Sequence, residues 1–255
     1  MGLLELQSGP VYGPVSSRRL GRSLGLNILP FDRKLCSFNC VYCQYGWTGT
    51  HTLDGRAHRA ELPTPAEIAA ALRESLSRLA SDGAPPAYIT FSGNGEPTLH
   101  PEFDKIVDLV LKLRDELAPE ARVAILSNST TVGDEAVRRS LDRLDVRIMK
   151  LDCVEPDVFT SYNRPCCGVD VGNIIEGLKK LRTFTLQVLF TEMNSGEKSV
   201  AGWLEVVKYL KPEEVQVYTL DRSAPLVDLK PVSKKRLEEI TLRVEAEAGV
   251  RATAY

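Results

Sequence analysis

The chain has 255 residues, 43% of them hydrophobic and 26% charged, with a formal net charge of −2. This composition describes a folded globular protein rather than a disordered one, and the charge gives no reason to expect a polyanionic partner. No apolar run approaches the roughly 18–20 residues that span a bilayer, and MGLLELQSGPVYG is not a signal peptide, so the expectation is a cytoplasmic protein without a membrane partner.

Strand-like and helix-like stretches alternate along the chain. LNILPF at 26–31 reads as the first strand. Residues 65–79 read as a helix, with Thr64 as N-cap, Pro65 at the first helical position and Glu67 completing a capping box. YITF at 88–91 is a strand, and 102–117 is a helix with apolar spacing at Phe103, Ile106, Val107, Val110 and Leu113. Strands are then expected at 123–126, 146–151, 184–190 and 215–220. Helices are expected at 134–144, 157–162, 171–181, 200–210 and 233–248.

Six strands alternating with helices predict an α/β fold with a parallel sheet and right-handed crossovers. An eight-fold barrel would need two more units. A six-unit partial (β/α)6 barrel fits, with a doubly wound open sheet as the alternative. The expected organisation is one domain over 1–255: an N-terminal extension at 1–25, the barrel core at 26–220, and a closing helix and strand at 221–255. Either architecture places chemistry in the loops after the strand C-termini. The cysteines, the Asn94-Gly95-Glu96 turn, Ser127-Asn128 and KLDC at 150–153 all fall there.

The six cysteines of a cytosolic chain point to metal or catalysis rather than disulfides. Cys36, Cys40 and Cys43 stand in C-x3-C-x2-C spacing. Three thiolates can each hold one iron of a 4Fe–4S cluster, and with no fourth cysteine nearby one iron stays open for an exogenous ligand. A structural zinc site completed by His51 or His58 is the competing reading.

C-x3-C-x2-C with Tyr42 before the last cysteine resembles the signature of radical S-adenosylmethionine (SAM) enzymes. GPVSSRRLGRSLGLNILP, FSGNGEPTLHPEF, RIMKLD and YNRP narrow the likeness to the Fe–S oxidoreductases related to wyosine-forming tRNA synthetases. The resemblance covers about residues 10–225. It implies a 4Fe–4S cluster held by Cys36, Cys40 and Cys43, with SAM as cosubstrate, and radical formation for hydrogen abstraction. It also implies SAM contacts from Tyr42, Ser92, Gly93, Asn94, Gly95, Glu96, Ser127, Asn128, Lys150, Asp152, Arg164 and Leu220.

Each of these has a plainer reading. The glycine loop is also an ordinary turn, Asn128 a cap, Lys150 with Asp152 a structural pair, and Arg164 a surface residue before Pro165. Gln187 and Tyr218 fit either a buried hydrogen-bonded core or a barrel lining. Of the remaining cysteines, Cys153 is a candidate catalytic thiol, although inert thiols or an auxiliary cluster with Cys166 and Cys167 stay open.

The expected partners are a small-molecule or peptide substrate and an electron donor such as flavodoxin or ferredoxin. RNA is not expected, since residues 1–35 lack the extra cysteines of the wyosine-forming relatives. Arg18, Arg19, Arg22, Arg33 and Lys34 form only a local basic excess.

Overall fold

The fold begins with an antiparallel hairpin of β1 (Val11–Ser17) and β2 (Gly21–Leu26); the structure, a computed structural model, describes residues 2–255. The main chain then passes through β3 (Leu35–Cys36) and β4 (Thr50–His51), which pair with each other, to helix α1 (Pro65–Ser81). It continues as β5 (Tyr88–Phe91), α2 (Phe103–Leu117), β6 (Arg122–Ser127), α3 (Glu135–Leu141) and β7 (Val146–Lys150). The last segments are α4 (Pro156–Tyr162), α5 (Val171–Lys179), β8 (Thr185–Leu189), α6 (Glu197–Leu210), β9 (Glu214–Tyr218), α7 (Lys234–Arg243) and β10 (Ala252–Ala254).

The helices start where local chemistry lets them. Thr64 accepts from the Glu67 amide while Glu67 reaches back to the Thr64 amide, and Pro65 donates nothing that the first turn would miss. Ile68, Leu72, Leu76 and Leu79 then form the buried stripe of α1. Removing four such side chains from water is worth about 6–12 kcal/mol as an upper figure. Ser233 caps α7, and Asp170 caps α5.

The eight-stranded sheet runs β1-β2-β5-β6-β7-β8-β9-β10, with every neighbouring pair parallel except β1 and β2. From β2 to β9 the spatial order is the chain order. A doubly wound sheet must reverse direction at a switch point; a sequential order with right-handed crossovers keeps all helices on one face, as in a barrel. The architecture is therefore the partial barrel, left open between β1 and β10. Ile89, Phe91, Val123, Ile125, Met149, Leu186, Val188, Val215 and Val217 bury the helix-facing side. The opposite, inner side has a small separate apolar cluster of Leu20, Ala124 and Ile148.

The first strand falls earlier than the apolar run 26–31 suggested. The strand stops at Leu26 because the Asn27 side chain turns to the glycine loop, accepting from the Asn94 amide (3.1 Å) and donating to the Leu29 carbonyl (3.2 Å), and Pro30 has no N–H for a ladder. Ile28 and Leu29 are apolar because they are buried, not because they are extended. Residues 1–25, expected as an extension, contribute β1 and most of β2 to the sheet.

Candidate active site

Cys36 ends β3, and the chain turns tightly through Cys40 and Cys43, with the Cys43 amide donating to the Cys40 carbonyl (3.2 Å) and the Gly46 amide to that of Cys43 (2.9 Å). The buried Lys34 ammonium closes this loop on the Gly46 carbonyl (2.6 Å). Two side-chain amides reach the sulfurs: Asn128 Nδ2 lies 3.4 Å from Cys36 Sγ, and Asn163 Nδ2 lies 3.6 Å from Cys40 Sγ. The Phe38 amide adds a third contact, to Cys36 (3.5 Å). Burial pushes both thiols up, Cys40 to about 11. A bound cation reverses that preference and makes these thiols thiolates. N–H donors aimed at sulfur suit such a charge.

Among the described residues, no three His, Cys, Asp or Glu side chains converge as a set for one ion. Three thiols holding different irons of a cluster need not converge in that way. The two candidates for completing a zinc site are engaged elsewhere: His51 Nε2 faces the Ser37 carbonyl (3.2 Å), and His58 faces Glu61 (3.3 Å).

The glycine loop follows β5 and packs directly on the cysteine loop. The Leu35 amide donates to the Asn94 carbonyl (2.9 Å), and the Glu96 amide to the Leu35 carbonyl (3.1 Å). Gly95 has φ +140°, and a Cβ there would sit 1.7 Å from the Leu35 carbonyl oxygen. Its lack of a side chain therefore serves the approach of the cysteine strand rather than of a ligand. Gly93 has φ +124° and packs on Asn27 in the same manner.

Glu96 is 1% exposed, and its carboxylate accepts from the Thr98 amide and hydroxyl, the Ser127 hydroxyl and the Asn128 amide. Burial raises its pKa, against these four donors. Three of these donors meet Oε1 and one, the Asn128 amide, meets Oε2, so Glu96 ties β5 to β6. Asn94 is likewise committed, bonding to Gln7, Pro30 and, through its amide, Asn27. Ser127 caps Glu96 and the Ser129 amide. Ser92 pairs with the Tyr12 hydroxyl at 2.6 Å and remains partly exposed.

Lys150 and Asp152 leave the end of β7 together. Asp152 is buried and accepts from Tyr42, Asn163 Nδ2 (2.9 Å) and the Leu189 amide (2.9 Å), with Lys150 Nζ at 3.5 Å. Burial and the Asp152 carboxylate raise the Tyr42 phenol, keeping it a neutral donor. Burial lowers Lys150, but Asp152 and Tyr218 outweigh it and keep Nζ charged. Lys150 donates to the Tyr218 hydroxyl (2.7 Å), which donates on to Gln187 (3.3 Å), and Gln187 to Gln216 (3.1 Å). Gln187 and Tyr218 thus belong to one inward-facing polar row.

Arg164 is exposed, in the left-handed region at φ +45°, with its guanidinium 4.8 Å from the Trp47 ring centre and no carboxylate partner among the described residues. Its carbonyl accepts from the Asn39 amide (3.0 Å), placing it on the cysteine loop. Leu220 lines the exposed loop after β9. Cys153 is 2% exposed and packs in the apolar core, and burial drives its pKa up. Cys166 and Cys167 sit beside the cysteine loop, where the Cys166 amide donates to the Ser37 carbonyl (2.9 Å). Among the described residues they form no three-residue metal set.

Asn163 and Tyr12 are the site residues that sequence reasoning missed. Asn163 immediately precedes the Arg164 that drew notice, and an asparagine in a turn gives no signal by itself. His100 is a buried structural residue whose Nδ1 accepts from the Glu102 amide (3.1 Å) and whose Nε2 donates to the Pro63 carbonyl (3.0 Å). No helix among the described residues is long and apolar enough to cross a membrane.

Comparison with known proteins agrees with this geometry. The chain is 33% identical over 236 residues to the UPF0026 protein of Methanocaldococcus jannaschii, covering 90% of this chain and 68% of that one. Among solved structures it is similar to a radical SAM methyltransferase from Sphaerobacter thermophilus (TM-score 0.67, 16% identity, 91% of this chain and 65% of that one). It is also similar to TYW1 with a lysine-pyruvate adduct bound (TM-score 0.59, 13% identity, 89% and 74%). The chain thus spans about two-thirds to three-quarters of the length of each. The family model described as the Radical SAM superfamily matches residues 34–220, from the lysine that closes the cysteine loop to the end of the last inward-facing strand, and the chain belongs to that superfamily.

Proposed function

We propose that the protein binds a 4Fe–4S cluster through Cys36, Cys40 and Cys43, and SAM beside it at the C-terminal rim of the partial barrel. The observation that supports this most is the donor set of the cysteine loop. Three thiols lie on one turn, and the side-chain amides of Asn128 and Asn163 reach two of the sulfurs from separate loops. When bound, such a cluster with one open iron supplies the electron that cleaves SAM and so furnishes the radical for hydrogen abstraction.

The chain's own residues divide the remaining work. Asn128 and Asn163 hold charge on sulfur in place. Ser92, Lys150, Arg164, Leu220 and the half-buried Gly93 and Gly95 form the accessible rim that would contact SAM. Arg164 brings a fork donor suited to a carboxylate. Asn94, Glu96, Ser127 and Asp152 act as positioning residues, because their polar atoms are already engaged by protein. Tyr42 packs beneath the rim against Tyr162 at 4.8 Å between ring centres.

We read the substrate as a small molecule or peptide, with a flavodoxin or ferredoxin as electron donor. An RNA substrate finds little support in the basic run 18–34. Arg18 pairs with Asp221, Arg19 stacks on Tyr218, Arg33 pairs with Asp32 and Glu61, and Lys34 is buried. Of the five, Arg19 and Arg22 are thus without a carboxylate or backbone partner among the described residues, fewer cations than an RNA surface uses.

Anaerobic reconstitution tests the reading. The protein should take up about four iron and four sulfide, lose them on changing Cys36, Cys40 or Cys43 to Ala, and release 5′-deoxyadenosine from SAM with reductant. A protein that retains zinc and never shows the broad visible absorption of a cluster overturns it.

A further inference from the structure

The inner face of the sheet carries a cation that the SAM reading does not use. The turn between β1 and β2 reaches across the open side of the barrel to the other edge. Arg18 bonds Asp221 (2.5 Å), just past β9, and the Arg19 guanidinium lies 4.8 Å from the centre of the Tyr218 ring on β9. Leu20, from the same turn, packs with Ala124 and Ile148 and forms an apolar floor. Above that floor the inward-facing side chains are polar: Lys150, Gln187, Gln216 and Tyr218. Leu126, Lys150 and Tyr218 stand on interior strands, yet each keeps part of its surface open. Fully packed barrels fill this space with branched apolar side chains. Here polar side chains take that place.

The charges along this inner face and its edge do not balance. Lys150 is offset by Asp152, and Arg18 by Asp221. Arg19 is half-buried, and among the described residues no oxygen accepts from its guanidinium and no carboxylate pairs with it. The Tyr255 phenol feels the Arg19 charge. Lys150 Nζ lies on the same Tyr218 ring, 5.1 Å from its centre. A half-buried guanidinium stacked on an aromatic ring keeps N–H donors free, and a carboxylate or phosphate matches that fork.

We propose that Arg19 is the anchor for an oxyanion of the substrate, bound on the inner face of the sheet with Tyr218 as its platform. The proposal rests on the radical reading for the word substrate, and not for the binding site itself. It narrows the substrate class to molecules bearing a carboxylate or a phosphate.

The test is titration calorimetry on the reconstituted protein at constant ionic strength held by chloride, with inorganic phosphate in one arm and succinate in the other. Wild-type protein should bind one of them with one-to-one stoichiometry, and which arm saturates names the anion. Arg19→Gln should weaken that binding at least tenfold, about 1.4 kcal/mol. Arg19→Lys should weaken it less, since charge remains while the fork is lost. Arg18→Gln should change it less than twofold. Melting curves confirm that the variants fold. Binding of neither probe below about 10 mM, or equal affinity in Arg19→Gln, overturns the anchor. Wild-type SAM cleavage without substrate is measured alongside. Cleavage without anion binding sinks the anchor alone, and anion binding without cleavage sinks the radical reading alone.

Discussion

Replacing Gly95 by alanine puts the contact between the cysteine loop and the glycine loop under direct strain. The new Cβ would fall 1.7 Å from the Leu35 carbonyl oxygen and 2.6 Å from its carbon, both backbone atoms that cannot swing away. The φ of +140° is itself close to glycine-only territory, costing about 1–3 kcal/mol for any other residue. Relieving the clash means parting Leu35 from Asn94 and Glu96, which breaks two backbone hydrogen bonds of 2.9 and 3.1 Å in a buried setting. Each costs about 1–3 kcal/mol when its partner is left unsatisfied. The sum is about 3–9 kcal/mol, against a total stability of about 5–15 kcal/mol for a typical domain. Urea unfolding followed by circular dichroism should show a loss of at least about 3 kcal/mol and reduced iron uptake on reconstitution. Gly21→Ala is the control. Its φ is +65°, nothing lies within 4 Å of the added carbon, and the cost should stay near 1 kcal/mol. If Gly95→Ala costs no more than Gly21→Ala, the two loops are not locked together in the way argued.

Two further outcomes follow from buried charge. Asp152→Asn strands the Lys150 ammonium and should cost about 3–5 kcal/mol, whereas Lys150→Met leaves Asp152 three other donors and should cost clearly less in the same urea assay. The opposite ranking would mean that Lys150 is the member of the pair that carries stability. Burial holds the folded pKa of His100 below its ordinary 6.5, so the unfolded chain binds more protons there. The stabilising contribution is present above pH 6.5 and is lost as pH falls from that value through the lower folded one. His100→Gln should flatten this part of the stability–pH curve, and an unchanged slope would remove His100 as its source.

Periodicity made most of the fold legible. The helix at α1 was marked by Thr64, Pro65 and Glu67 together, and the five strands β5 to β9 by short apolar runs. What the sequence concealed is informative in physical terms. The run 26–31 is apolar because Ile28 and Leu29 are buried beneath the cysteine loop, and burial looks the same in a strand or a loop. β1 was hidden because Gly13, Pro14 and two serines dilute any alternation. The cysteines were legible because chemistry restricts their spacing. The roles of Glu96 and Asn94 were not, because a polar residue in a site loop reads identically whether it faces a ligand or is filled by Thr98, Ser127 and Gln7. Asn163 had no sequence signal, since only the fold brings it 3.6 Å from a sulfur 123 positions away.

The sequential strand order has a temporal corollary. Each strand from β5 to β9 docks on the one made just before it, so the sheet can accrete in the direction of synthesis with short loops to close. The hairpin turn is the exception: its Arg18 meets Asp221 across 203 positions. That closure waits for the end of the chain. A nascent chain holding the three cysteines and the glycine loop already has the rim's first components side by side, but Arg19 has no ring to lie on until β9 is in place. The inner face therefore seats Arg19 last, after the residues that would hold the cluster are assembled.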